Sequence, residues 1–240
     1  MKLLFVLAVI GLSSIPSRGQ NLQLHYDFRH SLYPKLNAAN FPTFTFEYFK
    51  NLDSARGSFL IKIQTDLSGK NNNVGQVFTQ ITRTLRFWKP PVELALSYSG
   101  GLGVTPTSFG FYINNSFAAG ASYPFQWRGA FLVTNLQLRY NAFDAPSYDP
   151  QVTFYVGKGY YNYKVFVAAS FTLWTQNRNQ GNVATQDLTG KIFEFFGDPQ
   201  IWVRVYKGVS VGSRVYMYYH VFTGDNQVQF YPTIGIKNQF

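Results

Sequence analysis

Cysteine is missing from the 240-residue chain. That absence excludes disulfides, a thiol nucleophile, thiolate metal sites and the anchor that a lipobox cysteine would carry. Histidine is scarce as well: His25, His30 and His220 are the three. His25 and His30 stand five apart and so face opposite sides of a strand. No metal and no cofactor is expected from so thin a set of ligands. Beyond the N-terminus no run of about 18 apolar residues occurs, so no helix of this chain is expected to span a bilayer. Charged residues make up 13% of the chain and form no basic tract or nucleic-acid motif, which argues against nucleic acid as a partner despite a formal charge of +10.

What the chain has in quantity is aromatic residues, 19%, within a 46% hydrophobic composition whose mean hydropathy is only -0.11. Aromatic richness without long apolar runs fits a membrane barrel, where lipid-facing and lumen-facing residues alternate and aromatics gather at both interfaces. Residues 1–19 read as a secretory signal: Lys2, a short apolar core over 3–12, then Ser17-Arg18-Gly19 before the mature start at Gln20. Cleavage there removes two of the positive charges, Lys2 and Arg18. Residues 20–240 form the second and last unit.

Over that unit the text alternates. Leu22, Leu24, Tyr26 and Phe28 oppose Gln23, His25, Asp27 and Arg29. Phe59, Ile61 and Ile63 oppose Lys62, Gln64 and Asp66. The same reading gives strands over 44–48, 77–87, 92–99, 132–140, 152–156, 163–173, 201–205 and 209–221. The stretch 109–121 alternates poorly and is rich in small residues. The last, 228–240, sets Val228, Phe230, Ile234 and Ile236 against Gln229, Thr233, Lys237 and Gln239, and ends on Phe240. That terminal aromatic resembles the outer-membrane signal read by the barrel-assembly machinery, with Asn238 as a departure from it.

Connections fall into two interleaved sets. Tight or Pro/Gly-marked ones are expected at 51–57, 88–91, 122–127, 158–162 and 206–208. Longer, more polar ones are expected at 31–41, 68–75, 100–108, 141–150, 175–191 and 223–227. Short turns at one end and long loops at the other describe an all-β, closed antiparallel transmembrane β-barrel of about twelve strands with both termini periplasmic. Two positions fit poorly. Arg83 takes the lipid-facing phase, which predicts either a place near the 88–91 turn or a bulge. Pro232 removes a ladder donor and suggests a bulge.

The inward parity holds Arg29, Lys62, Arg86, Arg139, Lys164, Arg204, Arg214 and Lys237 against Asp27, Glu47, Asp66 and Glu93, an excess of positive charge. It also holds Phe78, Tyr155, Phe166, Trp174, Trp202, Tyr216, Tyr218 and Tyr231. Hairpin pairing is expected to set Tyr218 opposite Tyr231, Arg214 opposite Gly235 and Trp202 opposite Gly212. Rings beside glycines leave room for a planar solute, and several weak sites in series suit passage. Small solutes are therefore the expected cargo, with anions preferred. No enzyme is expected: His220 takes the inward phase among tyrosines with no serine partner, and His30 and Ser31, being adjacent, cannot share a face. A structural or adhesive barrel without conduction is the other reading.

Three stretches carry a resemblance. They are Gly75-Gln-Val-Phe-Thr-Gln-Ile-Thr-Arg-Thr-Leu-Arg-Phe-Trp88, Ser170-Phe-Thr-Leu-Trp174 and Phe195-Phe-Gly-Asp-Pro-Gln-Ile-Trp-Val203. Together they resemble segments of the Tsx-like nucleoside-channel group of outer-membrane proteins. The resemblance implies a monomeric twelve-stranded barrel whose narrow lumen passes nucleosides; many relatives lack an assigned substrate, and no individual nucleoside contact is carried over.

Overall fold

The structure is a computed structural model that describes residues 19–51, 57–89, 91–105, 107 and 109–240. The expected signal sequence lies outside the described residues, apart from Gly19, as does most of the 51–57 connection. Alternation makes strands of nearly everything else: β1 Gln20–Asp27, β2 Phe41–Asn51, β3 Ser58–Asp66, β4 Gln76–Leu85, β5 Glu93–Val104, β6 Gly110–Trp127, β7 Ala130–Asn141, β8 Ser147–Tyr160, β9 Val165–Asn177, β10 Lys191–Gly197, β11 Gln200–Tyr206, β12 Val209–Tyr219 and β13 Gln229–Gln239. Each pairs antiparallel with its neighbour, and β1 pairs with β13, from Asn21 opposite Gln239 to Asp27 opposite Thr233, which shuts the sheet into a barrel.

β10 and β11 lie end to end between the same neighbours, β9 and β12. They form one stave, interrupted at Asp198-Pro199 because proline has no N–H to give the ladder. The register keeps step across the break, Gly197 facing Phe171 and Gln200 facing Ala168 on β9. The barrel therefore has twelve staves. The sequence reading found only the lower half of this one, 201–205. Phe193, Phe195 and Phe196 blur the alternation of the upper half, and Asp-Pro reads as a turn.

The expected two-ended layout is present. Short connections join β2–β3, β4–β5, β6–β7, β8–β9 and β11–β12 at the end that carries the termini, here the turn end. Those at the loop end span 28–40, 67–75, 105–109, 142–146, 178–190 and 220–228; four of them are longer than any at the turn end, while 105–109 and 142–146 are shorter than the β4–β5 connection. Several boundaries move. β6 runs through Pro124 to Trp127, and the turn is Arg128-Gly129, both at positive φ. Proline is tolerated there because the pairing of β6 with β5 stops at Ser122. β8 begins at Ser147, which shrinks the expected 141–150 loop. The turn after β8 uses Tyr161, Asn162 and Tyr163 at positive φ, so Lys164 sits in the turn and not on a strand. β1 stops at Asp27, and a one-turn helix, α1, follows over Arg29–Leu32.

Of the two readings of Arg83 the place near the turn holds, and no bulge occurs at Arg83 or at Pro232. β4 keeps register with both neighbours, and Arg83 lies near its turn-end terminus, donating to the Ser58 carbonyl. Pro232 lies opposite Val215 with no shift in register. The Phe28 N–H, just past the end of β1, still donates to the Pro232 carbonyl at 3.1 Å, so the two segments stay joined there although proline offers no N–H. A bulge does occur where β5 passes Ser99–Gly101 against Ile113–Ser116 of β6, within the stretch that alternated poorly. The last hairpin has a longer loop than expected, which moves the register: Tyr216 faces Tyr231, Arg214 faces Thr233 and Gly212 faces Gly235. Trp202 does face Gly212.

Outward positions form an apolar belt, for example Leu96, Phe117, Leu136, Leu138, Ile234 and Ile236, all exposed. So large a bare apolar surface needs lipid around it. Gly212 has a steric task inside. A Cβ there would lie 2.7 Å from the Trp202 ring and closer still to the Ile201 carbonyl. Gly212→Ala is expected to destabilise the barrel by about 1–3 kcal/mol, read as a lower urea midpoint; an unchanged midpoint would show that Trp202 is free to shift.

Candidate functional site: a cavity over a cross-barrel floor

Side chains from opposite walls meet at mid-height. The Lys62 ammonium of β3 lies 2.8 Å from the Asp198 carboxylate at the β10–β11 break. The other Asp198 oxygen accepts from the Ser170 amide at 3.0 Å and its hydroxyl at 2.6 Å. Pro199 thus breaks the stave at the residue that turns a carboxylate across the lumen. Tyr216 donates to Gln64 at 3.1 Å, and Gln80 to Tyr155 at 3.4 Å. On the turn-end side of this floor, the buried Arg214 lies 3.7 Å from Glu47. Trp202, 1% exposed, packs edge-on to His25 at 5.5 Å and under the Lys237 ammonium at 4.5 Å.

Above the floor, in the loop-end half, lies a cavity of about 480 Å³. Phe78, Tyr155, Trp174, Phe196 and Tyr218 supply its rings, and glutamines 64, 76, 80, 151 and 176 its amides. Phe143, Gln180 and Phe222 reach it from three of the loops. The 178–190 loop leans on its neighbour through Ala145 N–H to the Gln180 carbonyl and contributes Gln180 to the wall.

Lys62, Arg139 and Glu194 are the charged residues of its lining, and Lys62 is held by Asp198. Arg139 donates to Asn141 at 2.6 Å, Ser116 at 2.8 Å and Gln151 at 3.2 Å, with its guanidinium 4.8 Å from the Trp174 ring. Glu194, buried, stands cross-strand from Trp174. Among the described residues neither Arg139 nor Glu194 makes an ion pair, whereas Asp27–Arg29, Lys62–Asp198, Lys191–Asp149 and Arg214–Glu47 do. A guanidinium and a buried carboxyl group beside one indole can orient a planar molecule with both an acceptor and a donor edge.

The expected site residues divide accordingly. Lys62, Arg139, Trp174 and Tyr218 line the cavity. Trp202, Arg214 and Tyr216 belong to the floor and to the packing beneath it. Tyr231 joins an aromatic cluster with Tyr216 and Tyr218, against which Tyr33 packs. Arg29 lies over the Tyr231 ring at 4.7 Å and is paired to Asp27 at 2.8 Å. Burial works against the Arg29 charge, but the Asp27 carboxylate more than offsets this and raises its pKa above the usual arginine value. Lys164 and Arg204 lie exposed at the turn-end rim, where Arg204 donates to the Tyr163 carbonyl, so Arg204 and Arg214 do not act as a pair. Arg86 is tied to carbonyls of the β4–β5 turn. His220 lies outside the strand at positive φ, held by the Phe193 carbonyl and Asn226.

These placements remove the expected surplus of positive charge from the interior. Three cations leave for the turns, while Asp149, Glu194 and Asp198 join the acids, which among the described residues then outnumber the inward cations. Glu194, Asp198 and Phe196 were missed because 191–200 did not read as a strand. Asp198 was nevertheless inside a stretch that stood out as a motif, and so was its partner Ser170.

A closed antiparallel barrel with an apolar belt and a polar, aromatic-lined interior cavity belongs to the class of membrane-type β-barrels. Among solved structures it is similar to the NanC porin, at a TM-score of 0.54 and 9% identity, with 92% of this chain and 100% of that one covered. LpxR from Salmonella typhimurium is more distant, at a TM-score of 0.46 and 9% identity over 92% and 100%. A loop-deleted OmpT, an outer membrane protein of Vibrio cholerae, stands at 0.43 and 10% over 87% and 66%. The chain belongs to the DUF5020 family, a domain of unknown function, whose sequence profile matches residues 19–240. No curated protein matches the sequence.

Proposed function

We propose that this protein is an outer-membrane barrel that admits small polar solutes at its loop end, with planar, nucleoside-like molecules favoured. The termini and short turns would then face the periplasm, and the monomer would be the working unit. The carrying observation is the loop-end cavity, where Arg139 and Glu194, neither ion-paired among the described residues, flank Trp174 among glutamine amides. Stacking on an aromatic face tolerates any base, and amides supply donors and acceptors for sugar hydroxyls. The resemblance of 75–88, 170–174 and 195–203 to the Tsx-like channels favours the same cargo, and Ser170, Trp174 and Asp198 from those stretches lie at the cavity or its floor. An anion preference is no longer part of the reading, since the interior surplus of cations is gone.

The second reading, a barrel that binds or merely spans without conducting, draws on the floor itself: Lys62–Asp198 and Tyr216–Gln64 cross the lumen. Planar-bilayer recording separates the two. Transport predicts single-channel steps that uridine reduces in a saturable way. Silence with saturable uridine binding would favour a closed receptor-like cup, and current indifferent to nucleosides would remove the cargo assignment and leave a general pore.

A further inference from the structure

The net positive charge of this chain is concentrated at one end of the barrel. Every one of the five turns at the turn end carries a cation or adjoins one. Lys50, Lys89, Arg128, Lys164, Arg204 and Lys207 are all exposed there. Lys158 adds a seventh, its ammonium 2.8 Å from the Arg128 carbonyl. None of these seven makes an ion pair among the described residues. The described acids at that end, Glu47 and Glu93, point inward on β2 and β5. The loop end differs: Lys35, Lys70 and Arg178 are offset there by Asp144, Asp187 and Asp225.

The cations stand at a particular height. Exposed rings lie among them: Trp88, Trp127, Tyr160, Tyr161, Tyr163 and Tyr206. Arg128 lies 5.1 Å from the Trp127 ring and Lys158 5.2 Å from that of Tyr160. Just below begins the apolar belt, with Val203, Val205 and Val167 exposed. Amphipathic rings directly beyond an apolar belt occupy the level of lipid headgroups. Long Lys and Arg side chains at that level lay their stems on the rings and present their charge to phosphate.

We propose that this ring of cations is a binding surface for anionic phospholipid headgroups in the leaflet at the turn end. The partner is chosen by charge and by height. Seven cations without ion pairs among the described residues, at headgroup level, meet phosphodiesters at once, whereas an acidic soluble protein would have to displace the bilayer from the same side chains. The surface acts whether or not the barrel conducts, so it stands apart from the solute reading above. Binding of this kind is screened by salt, because exposed charges lose their attraction beyond a Debye length.

The full mature chain, folded into phosphatidylcholine vesicles, would be given spin-labelled phosphatidylglycerol or spin-labelled phosphatidylcholine. Electron spin resonance then reads the fraction of each held at the barrel surface. Phosphatidylglycerol is expected to be held several-fold more strongly at low salt, and the preference to fall toward unity at high salt. The variant Lys89→Gln, Arg128→Gln, Lys164→Gln, Lys207→Gln should lose most of it, whereas Lys35→Gln, Lys70→Gln at the loop end should keep it. Equal retention of the two lipids by the unmodified protein would overturn the proposal and leave the ring to an acidic soluble partner. An unchanged preference in the fourfold variant would overturn it equally. The salt series on the unmodified protein needs no variant to fold.

Discussion

Lys62→Met is expected to lower the unfolding free energy of the barrel by about 3–5 kcal/mol, the usual result of leaving one member of a buried ion pair without its partner. Lys62 and Asp198 have side chains only 7% and 5% exposed and close at 2.8 Å, so the orphaned carboxylate has little water to turn to. Ser170 still donates two hydrogen bonds to it, which keeps the cost toward the lower bound. Adding Asp198→Asn removes the stranded charge while keeping an acceptor for Ser170. The double variant is therefore expected to recover more than half of the loss. Urea unfolding of the detergent-folded barrel, followed by far-ultraviolet circular dichroism, measures all three. Additive single effects would show that the two groups do not act as a pair and that the floor is not built on them.

Trp174→Ala is expected to weaken uridine binding by about fivefold to 150-fold, since a stacked base is worth about 1–3 kcal/mol. The informative comparison is Trp202→Ala. Both tryptophans point inward and both lie under a cation, Arg139 at 4.8 Å and Lys237 at 4.5 Å. Only Trp174 lines the cavity, whereas Trp202 is 1% exposed in the packing beneath the floor. Trp202→Ala should therefore lower the urea midpoint and leave the affinity of the folded fraction within about twofold. Calorimetric titration in detergent reads binding without requiring current. Equal losses at the two positions would mean that the solute reaches below the floor and that the cavity assignment is wrong.

Alternation made most of this architecture legible, because a strand's period of two survives in any sheet with one apolar and one polar face. Inward and outward sides came out correctly for Gln23, His25 and Asp27, for Lys62, Gln64 and Asp66, and for Trp174. Strand ends were harder to read. Ser147 and Pro150 look like loop residues, yet belong to β8: Pro150 pairs with Leu138 of β7, while pairing with β9 begins only at Gln151, and proline is tolerated where one side of a strand is unpaired. Parity also gives direction without height. Arg204 and Arg214 share the inward phase of neighbouring staves, but one lies at the rim and the other is fully buried. The largest error in charge had that origin, together with three acids hidden in segments that did not read as strands. Contacts across the lumen, such as Tyr216 to Gln64, join staves several positions apart and leave no trace in local sequence.

The four tryptophans divide the molecule into optical compartments. Trp88 and Trp127 are 46% and 61% exposed at the turn-end rim, so their emission belongs to the hydrated bilayer boundary. Trp202, enclosed and beneath an ammonium, contributes a short-wavelength, cation-perturbed component. Trp174 alone looks into the cavity, so its excited state reports on whatever stacks there. The intrinsic fluorescence of the unlabelled chain is thus a sum of three separable signals: one of insertion, one of the integrity of the packing beneath the floor and one of occupancy.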